Sequence, residues 1–172
     1  MGCKLVIAVL AAYSLAPGRV APIAAQSRLP VVPIPFPTPL HAIALNDLSF
    51  GTVLPGIPSS VSVRDARHAG LFEIRGAADA AVRVEFVLPA ALTAHDGALL
   101  PVTFGRTDGL ADFSRGHPPR ALVFDPNAPF IGSLGPNGSL FLRMGGTVIP
   151  GRPQTGGAYR ATISMTVYDL GS

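Results

Sequence analysis

The stretch that decides the fold is Gly157 to Leu170, which reads GAYRATISMTVYDL. Its apolar side chains fall on one face of an extended chain, and polar or amphipathic side chains fall on the other. The apolar positions are Ala161, Ile163, Met165 and Val167. Period-two alternation with many β-branched residues predicts a half-buried β-strand. The sequence stops shortly after Leu170, so we expect this strand to have no later strand as a neighbour.

The rest of the chain predicts more strands of the same kind. It has 19 Gly and 18 Pro, only 13% charged residues, and no Trp. This composition favours short strands joined by tight turns, and no long helical apolar period follows the first residues. About eight or nine short strands are expected, which is the pattern of an antiparallel β-sandwich or barrel. We therefore predict an all-β fold with one domain over residues 41–172.

Several local patterns give sharper expectations. Ala81–Leu88 is the clearest internal strand, and Val61 and Val63 should face inward. Pro136-Asn137-Gly138 predicts a hairpin with a type I′ turn. Gly145-Gly146 predicts a bulge or a close backbone approach. The polar stretch 105–119 is expected to be the longest exposed loop.

Residues 1–25 have the pattern of a secretory signal peptide. Lys4 precedes the mainly apolar run Leu5–Ala16, and small residues allow cleavage after Ala25. The apolar run is too short to span a bilayer. We expect export to the periplasm, the cell surface or the medium, and the alternative is a retained N-terminal anchor. Cleavage would remove Cys3, so the mature chain could form no disulfide of its own.

Charge argues against a nucleic-acid partner. Loss of Lys4 and Arg19 with the leader leaves eleven Arg against ten acidic residues, a net charge near +1. The arginines are scattered singly, without a basic cluster or interleaved aromatic residues. The sequence therefore predicts no nucleic-acid interface.

The segment 26–40 is rich in proline, with Pro at positions 30, 33, 35, 37 and 39. In an extended strand, the N–H and C=O groups of alternate residues point to opposite edges. Proline at every second position therefore removes the donors from one edge and leaves the other edge intact. The side chains of Val32, Ile34, Phe36 and Leu40 would share one face. A strand at a sheet edge and a flexible polyproline linker both fit this pattern.

No residue pattern points to catalysis, to a cofactor or to a metal ion. The four histidines (41, 68, 95 and 117) lack metal-ligand spacing, and no nucleophile elbow or phosphate loop occurs. Asp108, Asp112 and Asp125 lack the ligand density of a calcium loop. Glu73 and Glu85 alternate outward on predicted strands and are expected to be solvated. We expect a protein that is not an enzyme.

Three segments carry a family likeness. They are Leu48–Gly56, Leu142–Val148 and the closing Gly157–Tyr168, with Gln154 between the last two. Over residues 40–170 the chain resembles the secreted bacterial family catalogued as domain of unknown function 4402. That family is similar to spore coat protein U domains and, more distantly, to chaperone–usher pilin subunits.

The resemblance implies an immunoglobulin-like sandwich that lacks its last strand. A periplasmic chaperone or a like subunit would supply that strand by β-augmentation. Ala161, Ile163, Met165 and Val167 would then border the groove, with Val32, Ile34, Phe36 and Leu40 as the donor face. The implied function is a structural or adhesive surface subunit. The alternative is a self-contained secreted module, for example a carbohydrate-binding one, that uses the 105–119 loop.

Overall fold

The computed structural model describes residues 38–113 and 121–171, so the predicted leader and most of the proline-rich segment lie outside the described residues. The described part contains thirteen strands and no helix. The first seven are β1 (His41–Asn46), β2 (Ser59–Val61), β3 (Gly70–Arg75), β4 (Ala81–Val87), β5 (Ala91–Ala94), β6 (Leu99–Thr103) and β7 (Gly109–Asp112). The others are β8 (Leu122–Phe124), β9 (Phe130–Ser133), β10 (Ser139–Met144), β11 (Gly146–Val148), β12 (Tyr159–Arg160) and β13 (Ser164–Asp169).

The strands form three sheets, and every strand pair is antiparallel. The main sheet has the order β1-β3-β10-β7-β8, and the facing sheet has the order β13-β4-β9. A side sheet has the order β12-β5-β6-β11-β2. The all-β fold class is confirmed, and the arrangement is consistent with a β-sandwich.

The largest core lies between the main sheet and the facing sheet. Phe72, Leu140 and Leu142 enter it from the main sheet, and Val82 and Val84 enter it from β4. These β4 residues alternate with the exposed Arg83 and Val87, as the sequence predicts. Four phenylalanine rings form a continuous row in the same core, and the centroids of neighbouring rings lie 4.8–6.2 Å apart. In order along the row they are Phe72, Phe86, Phe124 and Phe130. The side sheet has a smaller core of Leu100, Val102 and Val148.

Gly145 marks the point where the chain passes from the main sheet into the side sheet. A Cβ atom on Gly145 would lie 2.4 Å from the carbonyl oxygen of Val61, so only glycine fits. The predicted close approach at Gly145-Gly146 is confirmed. The inward positions of Val61 and Val63 are also confirmed, since both side chains are buried.

The predicted hairpin at Pro136-Asn137-Gly138 is wrong. The turn joins β9 of the facing sheet to β10 of the main sheet, so its two strands do not pair. Gly138 has a φ of 71°, whereas Asn137 does not have the positive φ that a type I′ turn requires. The tight turn is real, but long-range pairing decides which sheet each of its strands joins.

Two predicted segments also differ from the structure. The expected loop 105–119 contains β7, whose residues Gly109–Asp112 are all buried within the main sheet. The expected strand Ala161–Tyr168 begins only at Ser164, because Tyr159 and Arg160 form β12 and pair with β5 in the side sheet. Residues 161–163 carry the chain from one sheet to the other.

Candidate functional site: an open strand edge

β13 lies at one edge of the facing sheet. It pairs with β4 over its full length, from Ser164 opposite Val87 to Asp169 opposite Val82. Within the described part of the chain, no strand pairs with its other side. Its six residues contain no proline, no lysine and no register shift. Natural edge strands usually carry one of these protections, so among residues 38–113 and 121–171 β13 presents an unprotected edge.

The hydrogen bonds of β13 show which backbone groups face the open edge. The Leu170 N–H donates to the Ala81 carbonyl oxygen at 3.0 Å, so the backbone groups of Leu170 point toward β4. Backbone groups alternate in direction along a strand, so those of Thr166 and Tyr168 also point toward β4. The N–H and C=O groups of Met165, Val167 and Asp169 therefore point to the open edge.

The residues at this open edge also face the core. Met165 and Val167 are half-buried and pack against the main core, whereas Ser164, Thr166 and Tyr168 are exposed. The predicted half-buried strand is confirmed for these positions. A strand added here in antiparallel register would place its paired side chains on the same face as Met165 and Val167.

β1 is the corresponding edge of the main sheet, and its core-facing side chains are small and exposed. Ala42 lies opposite Ile74, and Ala44 lies opposite Phe72. Both partners are buried, whereas Ala42 and Ala44 are exposed. The core-facing positions of this edge strand are therefore occupied by small side chains.

A groove of about 560 Å³ lies between the end of β1 and the segment that leads into β13. Ala44 and Asn46 of β1 line it together with Ala161 and Ile163, and Phe72 also contributes to the lining. A small pocket of about 40 Å³ adjoins Ile163 and is lined mainly by apolar residues such as Phe50 and Leu92. The groove also has polar lining residues, among them Asp47 and Arg160, so its surface is mixed, whereas the small pocket beside Ile163 is apolar.

The structure brings part of the predicted site together. Ile163, Met165 and Val167 pack against the main core, and Ala161 lines the groove but is exposed. Leu40 packs against the core of its own chain, and its Cδ1 lies 3.0 Å from where a Cβ atom of Gly76 would be. Leu40 is therefore engaged in its own domain. The other predicted donor residues (Val32, Ile34 and Phe36) lie outside the described residues.

A second cavity of about 540 Å³ lies beside the loop that follows β1. Its polar side chains already hold each other and the backbone. The Gln154 Nε2 donates to the Tyr159 hydroxyl at 2.7 Å and to the Leu99 carbonyl oxygen at 3.1 Å. The Tyr159 hydroxyl donates to the Thr155 carbonyl oxygen at 2.6 Å. Gln154, which the sequence singles out only by family likeness, fixes the loop before β12.

Sequence reasoning missed a row of buried charged residues on the outer face of the main sheet. Glu73 is only 1% exposed, so its expected solvated position is wrong. Its Oε1 accepts a hydrogen bond from the Arg75 Nε at 2.7 Å. Asp112 and Arg143 are also buried, and strand alternation places them on the same outer face. Alternation predicted the direction of Glu73 correctly, but it could not predict that this face is covered.

The remaining acidic candidates hold turns in place. Asp108 Oδ2 accepts a hydrogen bond from the Gly105 N–H at 2.7 Å. The Asn127 side-chain amide donates to Asp125 and lowers the pKa of that carboxyl group. The His68 ring likewise lowers the pKa of Asp65, whose Oδ2 lies 2.7 Å from Nδ1. Residues 38–113 and 121–171 contain no group of three or more possible metal ligands.

Comparison with known proteins adds no relative. No family model, no curated protein and no solved structure matches this chain. In the region that the structure describes, no helix is long and apolar enough to cross a membrane.

Proposed function

We propose that the protein is an exported structural or adhesive subunit that associates by strand addition at the open edge of β13. The observation that carries the proposal is the coincidence of two features at Met165 and Val167. Their backbone groups face the open edge, and their side chains are half-buried against the core. One added strand would therefore make main-chain hydrogen bonds and also cover apolar surface, which are the two components of β-augmentation.

The energetic terms favour such an association when several act together. Each net hydrogen bond contributes about 0.5–1.5 kcal/mol. Covering a half-buried apolar side chain adds about 1 kcal/mol, or roughly half of what full burial contributes. The apolar pocket beside Ile163 adjoins the start of β13 and adds apolar surface there. The partners implied are like subunits or a periplasmic chaperone, and the proposed role is association rather than catalysis.

The alternative binding module rests on the 105–119 loop. In the described residues that stretch contains the buried strand β7, which leaves Arg106 and Thr107 as its exposed tip. Residues 114–119 lie outside the described part, so this alternative stays a prediction.

Proline substitutions at adjacent positions of β13 test the proposed function. Val167→Pro removes an N–H that points to the open edge, whereas Thr166→Pro removes one that points to β4. We expect Val167→Pro to remain folded and to lose association in light scattering. Thr166→Pro should lower the free energy of unfolding by about 1–3 kcal/mol, because the carbonyl oxygen of Glu85 loses its donor.

Each outcome of this comparison is informative. Folding of both variants is checked by circular dichroism and urea unfolding. Normal association of a folded Val167→Pro protein would overturn the proposal that the edge of β13 is the site. Equal destabilisation by the two substitutions would show that the open-edge amide is already paired within the chain.

A further inference from the structure

We propose that the second cavity, the one of about 540 Å³ beside the loop that follows β1, binds an uncharged oligosaccharide. This inference concerns a different part of the surface from the open edge of β13 and does not depend on the proposed function. The volume falls within the range of about 300–1,000 Å³ that is typical of small-molecule sites. The chemistry of the lining, the shape of its backbone and a glycine that the fold does not require support the assignment.

The apolar part of the lining belongs to the core of the side sheet. Leu100 of β6 is buried in that core, and Phe50, Leu92 and Tyr159 pack against it while also lining the cavity. Phe50, Leu92 and Tyr159 are only half-buried, so part of each side chain stays exposed. Aromatic and aliphatic side chains provide an apolar surface for the C–H groups of a sugar ring.

The polar part of the lining consists of hydroxyl and backbone groups. Ser49, Thr52 and Thr155 line the cavity, and within the described residues their hydroxyl groups make no hydrogen bond. The N–H groups of Gly51 and Gly156, which also line the cavity, likewise donate no hydrogen bond there. Hydroxyl groups both donate and accept hydrogen bonds, so they match the hydroxyl groups of a sugar.

The charge of the lining defines the class of ligand. Among the described residues that line the second cavity, none is charged, whereas Asp47 and Arg160 line the neighbouring groove. A charged ligand would lose hydration in the cavity without gaining an ion pair, which is unfavourable. The lining therefore favours an uncharged sugar over an acidic one.

The backbone of the lining argues against an added peptide strand as the occupant. Residues 50–53 and 154–158 lie outside the strands of the structure. Gly51 has a φ of 63°, and the chain bends at Thr52 and Gly157. The backbone groups therefore do not alternate regularly between two edges, as strand addition requires. Groups that point in several directions suit the hydroxyl groups of a sugar ring better.

Hydrogen bonds hold the loop before β12 in place. Gln154 donates to the Leu99 carbonyl oxygen and to the Tyr159 hydroxyl, and its Oε1 accepts a hydrogen bond from the Gly151 N–H at 3.3 Å. These groups are used within the protein and position their neighbours Thr155 and Gly156 for the ligand. A loop that is already ordered lowers the entropic cost of binding.

Gly156 is a glycine that the fold itself does not require. It has no positive φ, and a Cβ atom there would meet nothing within 4 Å. Gly145, in contrast, must be glycine because a Cβ atom would lie 2.4 Å from a carbonyl oxygen. Since Gly156 lines the second cavity, a side chain at this position would occupy space that we assign to the ligand.

The surroundings of the cavity accommodate a chain of sugars rather than a single one. The second cavity and the groove of about 560 Å³ share the lining residues Leu48, Ser49, Leu92 and Tyr159, so the two adjoin. A linear oligosaccharide can therefore extend from the cavity into the groove.

An NMR titration of the isotope-labelled protein tests ligand class and site together. The uncharged probes are cellotetraose, maltotetraose and the tetrasaccharide of N-acetylglucosamine. Tetragalacturonate is the acidic probe, and a short peptide of glycine, serine and threonine is the peptide probe. We expect at least one uncharged sugar to shift the amide signals of Gly51, Thr52 and Gly156 saturably, with a dissociation constant below about 1 mM. Tetragalacturonate should bind about tenfold more weakly, or less, because its carboxylates find no cation in the cavity.

Three results would overturn the inference. If none of the three uncharged sugars shifts these signals at millimolar concentration, the cavity is not an oligosaccharide site. Equal or tighter binding of tetragalacturonate would contradict the uncharged class of ligand. Binding of the peptide probe without any sugar would show a peptide site instead.

Substitutions at two glycines test whether the ligand occupies the space beside Gly156. Gly156→Ala and Gly156→Val should weaken sugar binding in steps, and the valine variant should lose about tenfold or more through steric exclusion. Gly151→Ala is the control, because Gly151 has no positive φ, does not line the cavity, and would make only an ordinary contact of 3.7 Å with Pro153. All three variants should keep a nearly unchanged free energy of unfolding. Wild-type affinity in Gly156→Val would contradict the site.

A second matched pair compares the cavity with the 105–119 loop. Thr52→Val removes a hydroxyl group that lines the cavity, and Thr107→Val removes one from the exposed tip of the loop. We expect Thr52→Val to weaken sugar binding about two- to tenfold through loss of one hydrogen bond, and Thr107→Val to leave it unchanged. The reverse result would place the sugar site in the loop and overturn the inference.

The two proposals fail separately. Val167→Pro should bind the sugar with wild-type affinity, because β13 does not line the second cavity. Loss of sugar binding in a folded Val167→Pro protein would contradict the assignment to a separate surface. Gly156→Val should in turn associate normally, since Gly156 lies outside β13, and a failure to associate would contradict the same assignment.

Discussion

β10 and β13 are both six-residue strands that begin with serine, yet their surroundings differ completely. β10 (SLFLRM) lies between β3 and β7, and five of its six residues are buried. β13 (SMTVYD) pairs with β4 alone, and none of its residues is fully buried. The difference arises from the position of each strand in its sheet. Core-facing residues of β10 are covered by neighbours on both sides, whereas those of β13 are covered on one side.

This difference assigns the two strands different roles. The core-facing side chains of β10 are fully buried and should contribute mainly to the free energy of folding. Those of β13 keep part of their apolar surface exposed, and that surface is still available for association. The following predictions measure the contrast, from the largest expected effect to the smallest.

Truncation of a core-facing side chain should cost far more in β10 than in β13. Leu142 has no exposed surface, so Leu142→Ala should lower the free energy of unfolding by about 2–5 kcal/mol. Val167 is half-buried, so Val167→Ala should cost only about 1 kcal/mol in the monomer. Urea unfolding checks both values. Similar losses would show that β13 is already covered on both sides.

Gly138 directly precedes β10, and its substitution should have the next largest effect on the free energy of unfolding. A Cβ atom there would lie 2.3 Å from the Gly76 carbonyl oxygen, and φ is 71°. We expect Gly138→Ala to lower the free energy of unfolding by about 2–3 kcal/mol, since both the clash and the backbone strain act.

Gly51 is the matched control. It also has a positive φ, 63°, but a Cβ atom there would meet nothing within 4 Å. Gly51→Ala should therefore cost about 1 kcal/mol through backbone strain alone. Equal losses at the two glycines would contradict the view that close packing before β10 fixes its position.

Lowering the pH should destabilise turns between strands. It should not change the difference in burial between β10 and β13. The hydrogen bond from His68 lowers the pKa of Asp65 below its ordinary value of 3.8. Ionised Asp65 therefore stabilises the fold above that value, and this contribution is lost as the pH falls through the lowered pKa. Asp65 is exposed, so the effect should be small.

Urea unfolding of the wild type and of Asp65→Asn over a range of acidic pH checks this sign. The difference in the free energy of unfolding between the two proteins should shrink as the pH decreases below about 3.8. A difference that grows with acid would contradict the assigned direction. Asp125→Asn should behave in the same way, because the hydrogen bond from Asn127 lowers the pKa of Asp125 as well.

The sequence predicted the local features of this fold better than its long-range pairing. Alternation identified β4 and the core-facing residues of β13, because side-chain direction follows directly from strand period. The close approach at Gly145 was also predicted. The turn at Gly138 was found, but its strands belong to different sheets, and no local pattern encodes that choice.

Local sequence patterns also could not predict whether the outer face of a sheet is buried. Glu73 alternates outward from the main core, as expected, and is nevertheless buried. The sequence predicts a loop at β7, because polar residues flank its short apolar centre, Leu110-Ala111. For the candidate site, the sequence identified Met165 and Val167 and predicted a last strand without a later neighbour, whereas the pairing of that strand with β4 became visible only in the strand order.

Amide hydrogen exchange along β13, measured by NMR in the monomer and in the assembled protein, tests the central claim most directly. In the monomer we expect Thr166, Tyr168 and Leu170 to be protected, since their N–H groups point to β4, and Met165, Val167 and Asp169 to exchange rapidly. In the assembled protein, protection should extend to Met165 and Val167. Uniform protection along β13 in the monomer, or no added protection on assembly, would contradict the account.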